Sequence, residues 1–508
     1  MNQPAASSST SAGGRWMALI AALLGWMFDG AEMGVFSMVG RDAVINLLPL
    51  DAAGNPPTET EVGRYFGIII AVFLIGAAAG GVLFGWLGDK IGRVRAMSIS
   101  VLVYALLTGA CGFAQTPFQL GILRFLASLG MGGEWALGVA LVMEVWPNRS
   151  RALMAGLIGA AANAGYLLVA LVSMSLLPFL ATVKELLIDI AIPADTAEML
   201  VAHKGWRVMM MLGTLPALLT FFFRIFVPES RSWEEEKSRG HTDGWRTPDL
   251  LGVLFGCLGP GLIITVWSYP DTSLPLRLIA TAIGLIIATV GFSFPVMRYI
   301  DRSVKEADHA VSLSRRSILS RMFLGAALSA VALLGTWGTT QWAPTWTGKL
   351  WAAQSAELQA AGVTPDQYDL FQRYPREWTQ IATAVGAIIG TILAAWLGEK
   401  LGRRATYFFM CIFSMVSVFW LYQFHSAFDS GLLIAALVAG ICSASFYGWL
   451  PLYLPELFPT RVRATGQGFA FNFGRILSTI GTLQMSSLLQ NFDSFKPTPG
   501  SRWICSCL

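Results

Sequence analysis

The chain alternates long apolar runs with short polar segments. Runs of about 20 residues or more, which suffice to cross about 30 Å of hydrocarbon as a helix, recur from residue 16 to residue 490. They are too long for barrel strands and do not alternate, and backbone groups in lipid must be satisfied within the segment, so helices are predicted. The pattern predicts thirteen spanning helices, at residues 16–40, 64–88, 94–114, 118–146, 152–180, 206–227, 249–269, 274–298, 318–344, 377–398, 405–425, 431–454 and 464–490.

The composition agrees with lipid as the solvent. Of the 508 residues, 55% are apolar and only 13% are charged, against about 25% charged residues in soluble domains. The net charge of +4 does not indicate a nucleic-acid partner. The six cysteines have no disulfide or zinc spacing, and the sequence contains neither a phosphate loop nor a nucleophile elbow. We therefore expect no enzyme activity, no cofactor and no metal site.

The Lys and Arg residues predict the orientation. With the N-terminus in the cytoplasm, about twice as many of them fall on the inner side, including every short basic cluster. Basic residues near the ends of spans are retained in the cytoplasm. We expect a multi-pass protein of the cell (inner) membrane with a cytoplasmic N-terminus.

Two phrases occur twice. GWLGDKIGRVRA (residues 85–96) returns as AWLGEKLGRRAT (residues 395–406), and EVWPNRSRALMAG, from Glu144, returns as ELFPTRVRATGQG, from Glu456. In each half the first phrase follows the second span and the second phrase follows the fourth span. Internal repeats of this kind are typical of secondary transporters, in which the halves enclose a site near the midplane of the membrane.

The repeats define the predicted organisation. The second copy is one helix short, and two further spans lie between the copies. Within the connection, we expect residues 231–246 to be a solvated tether. The predicted units are a disordered cytoplasmic N-terminus (1–15), a six-helix bundle (16–227), a linker with an inserted transmembrane hairpin (228–317, hairpin 249–298), a five-helix bundle that lacks its last helix (318–490) and a short extracytoplasmic tail (491–508).

These phrases resemble those of the major facilitator superfamily. RFLASLGMGGEW (residues 124–135) is similar to the glycine motif of its fourth helix, and VPESRSW (residues 227–233) to the tail of the first half in sugar-porter-like members. FDGAEMG (residues 28–34) looks closest to the metabolite:proton symporter branch, which carries aromatic acids, monocarboxylates and sialic acid. The resemblance implies an all-α membrane fold of two pseudo-symmetric bundles that work by alternating access.

The resemblance also implies a cytoplasmic gate in the repeated loops. Asp89 is expected to pair with Arg149 or Arg151, or to lie near the positive N-terminus of a helix in the opposite half. Glu399 is expected to do the same with Arg461 or Arg463. The alternative is that these are ordinary loop charges that serve only to orient the chain. The expected gate residues are Gly85, Asp89, Gly92, Arg93, Glu144, Arg149, Arg151, Glu399, Gly402, Arg403, Glu456, Arg461 and Arg463.

Three acids lie deep inside spans, where an unpaired charge is costly. Asp29 and Glu32 are three residues apart and share a helix face, and Glu134 lies near the middle of the fourth span. Carboxylates that share a dry cavity hold protons more readily, as proton symport requires. We expect Asp29, then Glu32 and Glu134, to couple protons. The alternative is a structural acid that pairs with Arg124 or caps the backbone.

Arg475 is the candidate for binding a substrate carboxylate, because its planar guanidinium can donate two parallel hydrogen bonds. Its alternative role is packing, and Trp342 and Tyr166 have the alternative of anchoring at the membrane interface. The expected substrate-binding residues are Arg475, Asn472, Arg124, Gln341, Trp342, Asn163 and Tyr166.

Together these features predict a secondary active transporter. We expect it to move a small organic acid by alternating access, in symport with protons, and to act as a monomer in the lipid bilayer. Two alternatives remain open: a transporter of neutral sugars or drugs with the same fold, and a truncated, inactive relative.

Overall fold

The computed structural model describes residues 12–50, 53–146, 150–216, 227, 229–238, 250–269, 272–306, 315–459 and 462–493. Its secondary structure within these residues is helical. The α-helices are α1 (Ala12–Leu47), α2 (Glu59–Ile91), α3 (Arg93–Cys111), α4 (Pro117–Val145), α5 (Arg151–Asp189), α6 (Ala194–Leu212), α7 (Arg231–Ser238), α8 (Leu251–Ser268), α9 (Leu274–Glu306), α10 (Arg315–Trp337), α11 (Ala343–Ala360), α12 (Leu370–Arg373), α13 (Pro375–Lys400), α14 (Arg403–Gln423), α15 (Ser430–Ala444), α16 (Phe446–Leu457) and α17 (Arg463–Asp493).

The described helices account for the predicted spans. Eleven helical segments among them are long and apolar enough to cross a membrane. The two other predictions fall on α6 and α17. The span predicted at residues 206–227 begins within α6, and its residues 217–226 lie outside the described part of the chain. The span predicted at residues 464–490 corresponds to α17.

Two spans that were predicted as continuous helices are broken. The run at residues 318–344 ends as α10 at Trp337, passes through a 3₁₀ turn (Thr340–Trp342) and continues as α11 as far as Ala360. Pro344 opens α11, where its missing N–H is not needed. The run at residues 431–454 is divided between α15 and α16. Apolarity alone extends through such breaks and therefore did not reveal them.

The helices form an N-terminal bundle (α1–α6) and a C-terminal bundle (α10–α17). The most extensive packing between the bundles joins α2 to α17 and α5 to α13. At the first contact, a β-carbon on Gly468 would collide with the backbone oxygen of Gly81. Small residues therefore let the two bundles approach at backbone distance.

The repeated phrase ends in a turn that needs glycine. Gly92 joins α2 to α3 with φ of 111° and ψ of 156°, and Gly402 joins α13 to α14 with φ of 85° and ψ of 157°. An L side chain is strained in this region, and glycine is not. The shared LG(D/E)K(I/L)GR pattern thus encodes the same tight turn in both bundles.

The connection between the bundles is partly packed onto the protein. In the hairpin, Ile263 and Trp267 of α8 pack against Ala71 and Ile75 of α2. Residues 231–238 of the predicted solvated tether form α7, in which Glu234, Glu235, Lys237 and Ser238 are exposed as expected, whereas Trp233 is only 5% exposed and packs onto the protein. Residues 239–246 lie outside the described part of the chain.

Candidate functional site

A cavity of about 90 Å³ lies between the two bundles. Several water molecules would fit, since one needs roughly 10–15 Å³. Helices α1 and α5 line it from one side, and α10, α13, α15, α16 and α17 line it from the other. The side chains around it with polar or aromatic groups are Trp26, Asp29, Asn163, Tyr166, Thr336, Trp337, Thr340, Gln341, Gln380, Thr383, Tyr447, Phe471 and Arg475.

Asp29 and Arg475 bring opposite charges to this cavity from different bundles. Asp29 of α1 is 1% exposed and Arg475 of α17 is 3% exposed, and the two groups attract each other electrostatically. Oδ1 of Asp29 and Nε and Nη1 of Arg475 have no hydrogen-bond partner among the described residues. Buried polar atoms are usually paired, so these atoms are available to a ligand or to water.

Aromatic rings form much of the cavity wall. Phe471 stacks on Trp135 with ring centroids 3.9 Å apart, and the guanidinium of Arg475 lies 5.5 Å from the Phe471 ring. Trp337 and Tyr166 add further aromatic surface. The arginine is therefore held beside apolar rings, where its charge is poorly screened and a carboxylate partner is favoured.

Neutral polar groups complete the lining. Gln341 donates a hydrogen bond to the hydroxyl of Ser37 across the bundle interface. Asn163 donates to the backbone oxygen of Gly159 at 2.9 Å, and the hydroxyls of Thr336 and Tyr447 lie 2.5 Å apart. Four expected substrate-binding residues thus line the cavity: Arg475, Gln341, Asn163 and Tyr166.

Glu32 and Arg124 form a separate buried ion pair inside the N-terminal bundle. Glu32 accepts hydrogen bonds from Nη1 of Arg124 and from the hydroxyl of Thr108. The guanidinium lies between two rings, 4.6 Å from the centroid of Phe36 and 4.3 Å from that of Phe73. Neither Glu32 nor Arg124 is among the residues that line the central cavity.

Glu134 is buried beside a glycine of α1. It is 1% exposed, and neither side-chain oxygen has a hydrogen-bond partner among the described residues. A β-carbon on Gly25 would collide with Oε1 of Glu134, so the glycine makes the room for this carboxyl group. An ionised carboxylate without a partner is costly in such surroundings.

The two other expected substrate-binding residues make structural contacts. Asn472 donates to the backbone oxygens of Gly132 at 2.8 Å and Gly468 at 3.0 Å, and so links α17 to α4. Trp342 donates to the backbone oxygen of Trp337 at 3.0 Å and packs edge-on against Phe66. Neither of them lines the cavity.

The first repeated loop joins the bundles at one end of the molecule, here called the motif end. Asp89 accepts a hydrogen bond from Nη1 of Arg93 at 2.6 Å, and its other oxygen accepts from the backbone amide of Thr465 at 3.1 Å. Glu144 lies 3.4 Å from both Arg93 and Arg463. The contact with Thr465 lies at the N-terminus of α17 in the opposite bundle, which is one of the two expected placements of Asp89. As for the expected arginines, Arg149 lies outside the described residues, and Arg151 donates to the backbone oxygen of Trp146 at 3.4 Å.

The second repeated loop copies half of this network. Arg403 donates to the backbone oxygen of Gly398 and to Glu456 at 2.6 Å, as Arg93 does to Gly88 and Glu144. Glu399, unlike Asp89, is exposed. Gly85 packs closely on Ala464, and Arg461 lies outside the described residues. The acid of the first loop therefore contacts the other bundle, whereas the acid of the second loop is exposed.

The VPESRSW segment closes the network of the first loop. Glu229 accepts hydrogen bonds from the backbone amides of Arg93 at 2.8 Å and Val94 at 3.1 Å, at the N-terminus of α3. Ser230 donates to Glu144 at 2.6 Å, and Trp233 donates to the backbone oxygen of Asp89 at 2.8 Å. Burial raises the pKa of Glu229 above its usual value, although the amide hydrogen bonds oppose that shift.

Contacts between the bundles also occur at the opposite end, here called the distal end. Ser173 of α5 donates to Glu377 of α13 at 3.0 Å. Asp42 of α1 lies 3.6 Å from Arg376 of α13 and 3.6 Å from Lys204 of α6. The central cavity thus lies between two sets of contacts that join the bundles.

Sequence reasoning missed some lining residues. Gln380, Tyr447 and Thr336 did not stand out because single polar residues in apolar helices carry no charge signal. The spacing of polar residues along a helix is one signal that could have identified them. Gln380 and Thr383 of α13 are three residues apart on one face, as are Asn163 and Tyr166 of α5.

The fold and the site define a membrane transporter of two helical bundles around a central cavity. Residues 33–375 match the family model of the Major Facilitator Superfamily, and residues 361–508 match that of the Sugar (and other) transporter family. The first match covers more than half of the chain. The protein therefore belongs to the Major Facilitator Superfamily, whose members are multi-pass membrane transporters and not enzymes.

Characterised relatives match nearly the whole chain. The cis,cis-muconate transport protein of Acinetobacter baylyi is 25% identical over 467 residues, which are 91% of this chain and 85% of the relative. The niacin transporter NiaP of the same species is 24% identical over 93% of this chain and 87% of the relative. The solved structure of the proton:xylose symporter XylE bound to 6-bromo-6-deoxy-D-glucose is 17% identical and has a TM-score of 0.63, covering 98% of this chain and 94% of that one. That likeness concerns the fold.

Proposed function

We propose that this transporter moves a small organic acid across the membrane by alternating access, in symport with protons. One observation carries the proposal: Asp29 and Arg475 face one central cavity from different bundles, and both have side-chain atoms without a partner among the described residues. Arg475 binds the substrate carboxylate. Asp29 gains a proton when that carboxylate neutralises the arginine.

The cavity wall favours an acid with a flat, unsaturated body. Phe471, Trp337 and Tyr166 offer aromatic surface, and Gln341 and Asn163 offer amide groups for a second polar substituent. Flat π-systems stack favourably on such rings. The relatives named for cis,cis-muconate and niacin carry molecules of this kind, and their similarity to the chain supports the same substrate class.

The proton route includes the other two buried acids of the N-terminal bundle. Glu134 lies against Gly25 with no partner for its oxygens among the described residues, and Glu32 is held by Arg124. We assign the first exchange of a proton to Asp29, which lines the cavity. Glu134 and Glu32 then carry the proton in the interior of the N-terminal bundle. The protein lies in the cell (inner) membrane, with its motif end on the cytoplasmic side.

The test is uptake into proteoliposomes with an imposed pH gradient. The substrates are radiolabelled benzoate, nicotinate and cis,cis-muconate, with xylose as the neutral comparison. The proposal expects uptake of at least one acid that rises as the external pH falls and that carbonyl cyanide protonophores abolish. Arg475→Gln should lower kcat/KM by 100-fold or more. Equal uptake across the pH series would defeat proton coupling.

A glycine pair isolates the role of Glu134. Gly25→Ala should displace its carboxyl group and lower proton-driven accumulation at least fivefold, while exchange of labelled for unlabelled acid continues. Gly138→Ala, in α4, is the matched control. Its added β-carbon would also face α1, but it would make only an ordinary contact there, with Ala22 at 3.6 Å. Equal accumulation by the two variants would remove Glu134 from the route.

A second candidate substrate is a neutral sugar. The amides and hydroxyls of Asn163, Gln341, Gln380 and Tyr166 are groups that bind sugar hydroxyls. In that case xylose uptake would exceed uptake of every acid, and Arg475→Gln would hardly change it.

A further inference from the structure

A second cavity, of about 410 Å³, lies at the distal end. None of its lining residues also lines the central cavity. Its lining combines three basic side chains, Lys204, Arg373 and Arg376, with two acids, Asp42 and Glu377. Trp351 of α11 adds an aromatic face. The cavity therefore has one more positive than negative charge and one flat apolar surface.

The acids leave hydrogen-bonding capacity on two of the basic residues. Asp42 lies between Lys204 and Arg376, but both N–O distances are 3.6 Å, which is too long for a hydrogen bond. Among the described residues, neither basic side chain donates a hydrogen bond. Glu377 accepts from Ser173, while Lys204 and Arg376 act on it only through their charge.

The chain constrains the backbone of Lys204 and the side chain of Arg376. Lys204 has φ of 61°, a left-handed conformation that is unfavourable for a residue with a side chain, and it lies where α6 departs from helical geometry. Arg376 lies over Gly348, and a β-carbon there would come within 2.5 Å of Nε. Strained backbone of this kind recurs at sites that hold ligands.

We propose that this distal cavity is a second binding site, at which the carboxylate of an organic anion bridges Lys204 and Arg376 in place of Asp42. An ammonium and a guanidinium at hydrogen-bond distance bind a carboxylate more strongly than either does at 3.6 Å. Trp351 receives the body of the anion. Asp42 of α1 then loses its contact with α13, so binding also loosens the distal contact between the bundles.

The site lies on the way to the central cavity. Arg376 and Gln380 are four residues apart on α13, about 6 Å along one helix face, and Gln380 lines the central cavity. Only this step, from the distal site to the central one, rests on the proposed function. The distal site itself does not depend on what Arg475 binds.

The first experiment counts binding equivalents on the purified full-length protein in nanodiscs. The probes are radiolabelled benzoate, nicotinate and cis,cis-muconate, with benzamide as the uncharged analogue of benzoate. At least one anion should bind at two sites in the wild type, at one in Lys204→Gln/Arg376→Gln and at one in Arg475→Gln. Benzamide should not bind at the distal site. Lys184→Gln/Lys349→Gln is the matched control, because it removes two exposed lysines that pair with Glu198 and Glu59 outside this cavity.

The outcomes separate the two proposals. If no probe loses an equivalent in Lys204→Gln/Arg376→Gln relative to the matched control, the distal site is overturned. If Arg475→Gln keeps every equivalent while Lys204→Gln/Arg376→Gln loses one, the distal site stands and the proposed role of Arg475 fails. The thermal stability of Lys204→Gln/Arg376→Gln should lie within a few degrees of the wild type, because both changed side chains are partly exposed.

Asp42→Asn distinguishes ligand competition from a structural role. Because Asp42 competes with the anion for Lys204 and Arg376, its neutralisation should tighten anion binding at the distal site at least threefold. A purely structural Asp42 predicts unchanged or weaker binding, which would contradict the proposal. For a transported probe, Lys204→Gln/Arg376→Gln should raise KM about tenfold and leave kcat within twofold.

Discussion

The carboxylate of Asp89 in α2 accepts a hydrogen bond from the backbone amide of Thr465 in α17 at 3.1 Å, and the hydroxyl of Thr465 donates to the same oxygen. These residues belong to different bundles. Their contact is therefore made only while the motif end is closed, and it must break whenever that end opens.

Removing one of these two hydrogen bonds should favour opening of the motif end. Thr465→Val keeps the backbone donor but loses the hydroxyl, and a hydrogen bond to a charged group is worth about 1.5–3 kcal/mol. We expect amide hydrogen exchange at the start of α17 to speed up about tenfold or more, as measured by mass spectrometry.

Thr406→Val is the control for this substitution. Thr406 is buried in the second bundle, and its hydroxyl has no partner among the described residues. Exchange in its own helix, α14, should not change. Equal effects of the two substitutions in their respective helices would contradict a gating role for the Asp89–Thr465 contact.

Substituting alanine for each of the two turn glycines should lower the melting temperature by different amounts. Both Gly92 and Gly402 combine positive φ with ψ near 156°, a region that costs a residue with a side chain about 1–3 kcal/mol. A β-carbon on Gly92 would also collide with Glu229, whereas nothing lies within 4 Å of one on Gly402. Gly92→Ala should therefore lower the melting temperature in detergent clearly more than Gly402→Ala.

Gly362→Ala provides the reference for strain alone, since Gly362 has φ of 89° and open space around it. We expect it, like Gly402→Ala, to lower the melting temperature less than Gly92→Ala does. A melting temperature of Gly92→Ala equal to that of the other two variants would show that Glu229 moves aside without cost.

Glu229 should make stability depend on pH. Burial raises its pKa in the folded protein above the usual 4.5, so its contribution is fully present below that value and is lost as the pH rises through the raised pKa. Glu229→Gln cannot ionise. The melting temperature of the wild type minus that of Glu229→Gln should therefore fall as the pH rises from 4 upward. A difference that is constant across the series, or that grows with pH, would contradict the burial argument.

The Glu32–Arg124 pair should be far more sensitive than an exposed pair. Removing one partner of a buried ion pair leaves an uncompensated charge and costs about 3–5 kcal/mol. Glu32→Gln and Arg124→Gln should each lower the melting temperature strongly. Lys184→Gln breaks the exposed pair with Glu198, which is worth about 0–1 kcal/mol, and should change little. Similar shifts for all three variants would show that Arg124 reaches water.

The hydrogen-bond network at the motif end also shows what a comparison of the two repeated phrases cannot predict. The repeated phrases correctly located Arg93 and Glu144, and Arg403 and Glu456, as equivalent residues. They also allowed Asp89 to lie at a helix N-terminus of the other bundle, but they did not indicate that Glu399 would be exposed. Two loops of the same sequence pattern can face different neighbours, because the packing of whole bundles decides what lies opposite each loop.

The membrane class, most span positions, the duplicated architecture and the buried charges could be predicted from the chain, because apolar run length, glycine at positive φ and the cost of charge in lipid act locally. Which charges share a cavity depends on how the helices of both bundles pack together. Asp29 and Arg475 come together there, whereas Glu32 and Arg124 neutralise each other nearby. The distances between helices in different bundles depend on side-chain packing over the whole interface, and no local pattern encodes them.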